Sequence, residues 1–213
     1  GGTIAIPLDP LLTPQQNAAK YYKRYTKAKT AEKYLAEQMA IARRDLDYIE
    51  SVLEELDRAE TEQDFLDIRG ELRDAGFLRK QGKKELSRPA KPLEFRTTSG
   101  FRVLVGRNNR QNDKLTKSAG PRDIWLHTQK IHGSHVILCT EGREADDDAI
   151  VEAAKLAAWF SQARESANVP VDYTMVKNVK KPAGARPGMV IYSTCRTVNV
   201  TPAGELVKKL AKP

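Results

Sequence analysis

Cysteine is scarce: Cys139 and Cys195 are the two in 213 residues. Neither has a partner at Cys-x-x-Cys spacing, which removes the zinc and dithiol readings. Two buried free thiols in a reducing compartment are expected, with a disulfide left open by the sequence. Long apolar runs are missing, so no transmembrane helix is expected. The start, Gly1-Gly2-Thr3, has no basic n-region and no apolar h-region; it is no signal peptide and reads as the cut end of a larger protein. There is no P-loop and no G-x-G-x-x-G, and Ser134 lacks the G-x-S-x-G elbow. Between Pro14 and Gly70 the chain has neither glycine nor proline, so nothing there breaks a helix.

Apolar residues make up 40% of the chain and charged residues 30%. That apolar share is low for one compact core, which predicts an elongated part. The net charge is +8, unevenly placed. Residues 1–59 hold nine Lys/Arg and nine Asp/Glu; residues 60–80 hold four and six; residues 81–213 hold 23 and 13. A basic excess of ten confined to the C-terminal part points to a polyanionic partner, most often nucleic acid.

Thr13-Pro14-Gln15-Gln16 carries a capping box with proline at the first helical position. Beyond it, Ala18, Tyr21, Tyr25, Ala28, Glu32, Leu35, Met39, Ala42, Leu46, Ile49, Leu53 and Leu56 recur at alternating steps of three and four. This is a coiled-coil seam with one charged position, Glu32. A helix from 14 to 58 would run about 68 Å at ~1.5 Å per residue. Thr61 opens a second, shorter helix bearing Phe65, Ile68, Leu72 and Ala75, ended by Gly76. It covers only the end of the long one, so the seam is expected to pair with a helix absent from this chain or with another copy, and the chain to self-associate. Lys20, Lys23, Arg24, Lys27 and Lys29 form a basic tract along the long helix, open to RNA or to solvent. Residues 3–8 alternate like a short edge strand.

Residues 79–92, broken by glycine and proline, read as a linker. The division expected is therefore 1–78 helical, 79–92 linker and 93–213 a separate domain. That domain reads as α+β: a mainly antiparallel sheet covered by one long and one short helix. Strands are expected at 94–97, 101–105, 124–128, 135–139, 173–179, 189–193 and 197–200, with helices at 109–117 and 147–165.

The densest chemistry lies at Asp123-Ile124-Trp125-Leu126-His127 and His132-Gly133-Ser134-His135. In a strand, Asp123, Trp125 and His127 share one face. An acid, an indole and an imidazole together suggest a polar recognition surface with an aromatic to stack on a base. In the structural alternative Asp123 orients His127 while Trp125 packs under a loop. His127, His132 and His135 have no spacing that fits a metal motif, and an Asp–His pair without a nucleophile does not make a hydrolase; neither metal nor cofactor is expected. Arg107, Arg110, Lys114, Lys117, Arg122 and Lys130 lie nearby in sequence, and Asn108, Asn109 and Asn112 add amides at a helix start able to hold phosphate. Lys177, Lys180, Lys181 and Arg186 form a second basic patch. The candidate nucleic-acid-binding residues are Arg107, Asn109, Asn112, Asp123, Trp125, His127, Ser134, His135, Lys177, Lys180 and Lys181. Of these, Arg107, Lys180 and Lys181 are expected on phosphate, Trp125 and His127 on bases.

Several longer motifs carry a family resemblance. Gly106-Arg107-Asn108-Asn109-Arg110-Gln111-Asn112-Asp113, Asp123-Ile124-Trp125-Leu126-His127, Gly133-Ser134-His135-Val136, Val171-Asp172-Tyr173-Thr174 and Lys181-Pro182-Ala183-Gly184-Ala185-Arg186-Pro187-Gly188 resemble the NFACT-R domain. That domain ends the bacterial RqcH proteins, also called fibronectin-binding protein A homologues. Leu8-Asp9-Pro10, Thr13-Pro14, Asn17-Ala18, Tyr25-Thr26-Lys27-Ala28-Lys29 and Ile68-Arg69-Gly70-Glu71-Leu72 resemble the family's middle coiled coil. Gly70 departs from it, standing where a helix former is expected, and weakens the second helix.

The resemblance implies a cytoplasmic factor of ribosome-associated quality control. Such a factor binds a large ribosomal subunit through rRNA, holds peptidyl-tRNA and alanyl-tRNA, and promotes template-free alanine tailing. The ribosome makes the bond, so no enzyme activity is expected. The alternative is a fibronectin-binding surface adhesin.

Overall fold

The computed structural model describes residues 2–79 and 90–211. Most of the expected linker therefore lies outside the described residues. In chain order the elements are α1 (Pro14–Asp57), α2 (Glu62–Asp74), β1 (Leu93–Arg96), β2 (Arg102–Val105), α3 (Asn109–Ser118), β3 (Ile124–Thr128), β4 (Val136–Cys139), α4 (Asp147–Trp159), β5 (Val169–Met175), a 3-10 turn (Val176–Asn178), β6 (Val179–Lys180), β7 (Ile191–Tyr192), β8 (Arg196–Val200) and α5 (Gly204–Leu210). Two compact units, residues 1–47 and 48–213, divide the chain.

In the first unit α1 opens on a reciprocal cap. Thr13 N–H donates to Gln16 Oε1 at 2.8 Å, and Gln16 N–H to Thr13 Oγ1 at 3.3 Å, as the sequence pattern predicts. Residues 3–8 form no strand. The segment is tied to the helix instead: the Pro7 carbonyl accepts from Tyr21, and the buried Asn17 amide donates to the Asp9, Leu12 and Thr13 carbonyls. The seam residues Tyr25, Leu35, Met39 and Leu46 are exposed.

In the second unit α2 also starts on a capping box, with Thr61 accepting from Asp64 N–H and Asp64 reaching back to the Thr61 amide. It runs unbroken through Gly70, so the expected weakening takes no visible form. Gly76 ends the helix region in the left-handed conformation, at φ +89°. Tyr48 and Val52 of α1 pack against Ile68 of α2.

β1, β2, β4, β3, β5 and β8 form one sheet in that order, every pairing antiparallel. Side chains alternate across it, so each face has its own core. Val103, Leu126, Val136, Leu138 and Val171 face the alanine-rich side of α4, where Ala153, Ala154, Ala157 and Ala158 allow close approach. On the other face Trp125 and Ile137 meet Leu115 of α3 and Val176, with Val179, Val190 and Tyr192 of the β6–β7 hairpin around them. This α+β architecture agrees with the sequence pattern, apart from three differences.

α4 ends at Trp159, six residues before the expected end. There Ser134 N–H takes the Phe160 carbonyl at 2.9 Å and Gly133 bridges Ser161, so the helix cannot continue. A Cβ on Gly133 would lie 2.7 Å from Ser161 Cβ, and only glycine permits the approach. β5 begins at Val169, four residues early, and includes Pro170, a residue that argues against a strand; the chain then turns at Val176, whose N–H donates to the Asp123 carbonyl. α5 has no counterpart among the expected elements; its Leu210 is buried and Ala211 bridges Phe95 of β1. Among the described residues no helix is long and apolar enough to cross a membrane.

Candidate nucleic-acid interface

β3 places Trp125 and His127 on the sheet face opposite α4, as the alternation requires. That face is covered, not open. Trp125 is 0% exposed. Its ring stacks on His127 at 5.7 Å between centroids and 11° between planes, meets His135 edge-on at 5.2 Å and lies 4.8 Å from Tyr192. The β6–β7 hairpin and α3 close over it. The base-stacking role expected of Trp125 is thus corrected: its face is occupied by the protein's own rings.

Both histidines of the cluster are held neutral. His135 is buried; its Nε2 donates to the Gly188 carbonyl at 3.1 Å, so Nδ1 accepts from Thr116 Oγ1 at 2.8 Å. Burial, aided by His127, lowers its pKa to about 3. His127 Nε2 donates to the Gly133 carbonyl at 3.3 Å, and burial lowers its pKa as well. Neither adds positive charge near neutral pH. Asp123 does not orient His127: its carboxylate accepts from Gly120 N–H and Thr140 N–H, each at 2.8 Å, and fixes two turns. The structural alternative is right about Trp125 and wrong about Asp123.

Of the first basic patch, Arg107 and Arg110 are engaged within the chain. The start of α3, expected to hold phosphate, is capped by Asn108 and receives a carboxylate from α2: Arg110 N–H donates to Glu71 Oε2 at 3.2 Å. A helix start attracts an anion, and the chain supplies its own. Arg107 Nη1 lies 3.1 Å from both Asp64 oxygens, and its Nε donates to the Lys91 carbonyl. Burial works against ionisation of Asp64, but the Thr61 hydroxyl and amide and Arg107 outweigh it and hold its pKa low. Arg110 reaches Asp74 at 2.6 Å and the Gly70 carbonyl at 3.0 Å.

Asn109, Asn112 and Ser134 are all buried. Asn109 donates to Ser51 Oγ, Asn112 Oδ1 accepts from His135 N–H, and Ser134 Oγ donates to the Gly106 carbonyl while accepting from Arg58 at 2.6 Å. Asn109 and Ser134 hold the end of α1 on the sheet domain, and Asn112 links α3 to His135 within it. None of Arg107, Asn109, Asn112, Ser134 or His135 is presented to a ligand in the way the sequence suggested.

The second patch is partly outward. Lys177 and Lys180 are exposed. Lys181 is exposed too, but it pairs with Asp113 and donates to the Arg186 carbonyl. Arg186 lies over the Tyr48 and Phe77 rings, at 5.5 and 5.1 Å, and donates to the Ala75 carbonyl. The Asp113–Lys181 pair and the bond from Gly188 N–H to Asp113 Oδ1 fasten the hairpin to α3. Gly188 adopts φ +79°, and a Cβ there would strike Asn109. α3 turns Lys114 and Lys117 outward. Lys177 N–H donates to the Pro121 carbonyl, which places Lys177 beside the loop after α3. Lys114 and Lys117 on α3, Lys177 on the 3-10 turn and Lys180 on β6 thus sit on elements locked together. The basic count around 107–122 gave the signal for Lys114 and Lys117, but not which members of that run face out.

The family model for NFACT N-terminal and middle domains matches residues 1–91, and that for the NFACT protein RNA binding domain matches residues 91–193. The Rqc2 homolog RqcH of Bacillus subtilis (strain 168) is 43% identical over 215 residues, which cover 99% of this chain and 37% of the relative. The Rqc2 homolog RqcH of Streptococcus suis (strain 05ZYH33) is 38% identical over 212 residues, covering 99% and 38%. The chain spans somewhat over a third of the length of these curated relatives. A solved structure of the C-terminal of the fibronectin/fibrinogen-binding protein from Streptococcus suis (FBPS) superposes with a TM-score of 0.86 at 36% identity, covering 95% of this chain and 82% of that one.

Proposed function

The chain belongs to the NFACT family, and on that premise we propose that it is the RNA-binding part of a ribosome-associated quality control factor. In the intact protein this part helps to hold tRNA on a large ribosomal subunit while an obstructed nascent chain is extended with alanine without a template. It acts in the cytoplasm, by binding; the ribosome makes the bonds, and the chain needs no catalytic residue and no cofactor.

The observation that carries the reading is the exposed lysine set of α3, the 3-10 turn and β6, Lys114, Lys117, Lys177 and Lys180, in a domain matched by the RNA-binding family model. Lysine is a point charge on a flexible stem, suited to phosphate rather than to base edges. The domain therefore recognises the shape and backbone of structured RNA, and selection of a particular tRNA falls to other parts of the intact protein. The described name of the solved relative favours a second reading, fibronectin binding.

Binding of the chain to tRNA and to large-subunit rRNA across a salt series, with immobilised fibronectin in parallel, separates the two. The RNA reading predicts affinity that falls steeply as salt rises, because lysine contacts release counterions. Retention on fibronectin without binding of either RNA at low salt would overturn it.

A further inference from the structure

Where the end of α1 meets α2 and α3, two glutamates are buried together. Glu55 is 2% exposed, and neither of its carboxylate oxygens has a hydrogen-bond partner among the described residues. Glu71 of α2 is 0% exposed and accepts from the Tyr48 hydroxyl at 2.8 Å and from Arg110 N–H at 3.2 Å. The cation beside Glu55 on α1 is Arg58. It is engaged elsewhere, with Nε 3.3 Å from Glu54 and Nη1 on Ser134.

The charged and titratable groups around Glu55 come from each packed element. α1 supplies Tyr48, Glu54 and Arg58; α2 supplies Glu71; α3 supplies the Asn109 amide and Arg110; Arg164 and His132 act on the Glu54–Arg58 pair. Burial first, then repulsion by Glu71, push the Glu55 carboxyl well above the ordinary carboxylate range, and Arg58 and the Asn109 amide only partly oppose them. An ionised carboxylate buried without hydrogen bonds is far less favourable than the neutral acid. Burial raises Glu71 too, but the Tyr48 hydroxyl and the Arg110 and Asn109 amides oppose it there. Glu55 has the Asn109 amide nearby and no donor within hydrogen-bonding geometry, so of the two Glu55 carries the proton.

We propose that Glu55 stays protonated while residues 48–78 are docked on the sheet domain, so that docking takes up one proton and loosens as pH rises. The inference concerns this junction and does not depend on the RNA reading. In the undocked state Glu55 meets water and ionises in the ordinary range, so above that range the docked state holds one more proton. One proton changes the docking equilibrium tenfold per pH unit. Loosening also frees Arg107 and Arg110 from Asp64 and Asp74, adding positive charge to the sheet domain's surface.

Infrared spectra of the full chain at neutral pH test the proton directly. The carbonyl stretch of a protonated carboxylic acid is expected; it disappears in Glu55→Gln and persists in Glu71→Gln. Amide hydrogen exchange in α2, corrected for the intrinsic rate, tests the coupling. Opening rises with pH above the ordinary carboxylate range in the unmodified chain, by up to about tenfold per unit until Glu55 itself ionises, and this rise is lost in Glu55→Gln. A band lost only in Glu71→Gln overturns the proposal, as does an unchanged pH slope in Glu55→Gln. If Glu55→Gln fails to fold, the unmodified chain decides: absence of the band overturns the proposal.

Discussion

Nη1 of Arg107 lies 3.1 Å from each carboxylate oxygen of Asp64, 43 residues earlier in the chain. The side chain that the sequence offered as a phosphate contact is a clamp between α2 and the sheet domain. Arg110 and Arg186 are directed the same way, toward Asp74 and the Ala75 carbonyl. The charge excess of the domain therefore overstates what an RNA would meet.

Removing the clamp should lower stability and spare RNA binding. Asp64 is nearly buried, and Arg107→Gln leaves it without its cation. A loss of about 1–3 kcal/mol is expected in urea unfolding. The pH dependence has a definite sign. Asp64 is held below its unfolded pKa, so its contribution is present above about pH 4 and is lost as pH falls through the folded value. Arg107→Gln should make that acid loss shallower.

Trp125 should behave as a core residue. Trp125→Ala is expected to cost about 3–5 kcal/mol, the range for emptying a large aromatic site. Trp125→Phe should fold with reduced stability and bind RNA as the unmodified chain does, measured at a temperature where both are folded. A folded Trp125→Phe with strongly weakened RNA binding would return Trp125 to the recognition surface.

His135 ties stability to acid pH. Its folded pKa of about 3 lies below the ordinary 6.5, so the unfolded chain takes up the proton first and stability is lost as pH falls below 6.5. The slope is about 1.4 kcal/mol per pH unit. Between about pH 6 and 5, His135→Gln should therefore lose stability less steeply than the unmodified chain by that amount. Comparing the two chains cancels the opposite contribution of Glu55.

Leu35, Met39, Leu46, Leu53 and Leu56 are each more than 40% exposed along one seam of α1. Burying one leucine is worth about 1.5–3 kcal/mol. We expect the isolated chain to pair with a second copy through this seam. Sedimentation equilibrium should show mass rising with concentration, and Leu46→Lys should suppress the rise. A monomer mass at every concentration would contradict the pairing.

What could be read from the sequence was local. The Thr13–Gln16 and Thr61–Asp64 caps, the α1 seam and the alternation of Trp125 and Leu126 each follow from residues within a turn or two. The cover over Trp125 does not. It depends on Asp113 of α3 meeting Lys181 of the hairpin, 68 residues away, and no spacing rule encodes that. The same holds for Arg107 with Asp64, and for Glu71 at the start of α3. Trp125 and His127 share one face as the alternation requires, with Asp123 just before the strand, but whether that face met solvent was decided by elements far along the chain. The expected strand began at Tyr173, whereas β5 already runs from Val169 through Pro170.

Salt dependence of RNA affinity separates outward lysines from inward arginines most directly. Lys177→Gln with Lys180→Gln should weaken binding to structured RNA broadly. It should also reduce the slope of log affinity against log salt by about two units, about one per lost phosphate contact. Lys114→Gln with Lys117→Gln should act in the same way, while Arg107→Gln, compared in its folded state, should leave the slope unchanged. Lysine variants with full affinity and an unaltered slope, beside an Arg107→Gln that loses both, would contradict the assignment of the interface to α3, the 3-10 turn and β6.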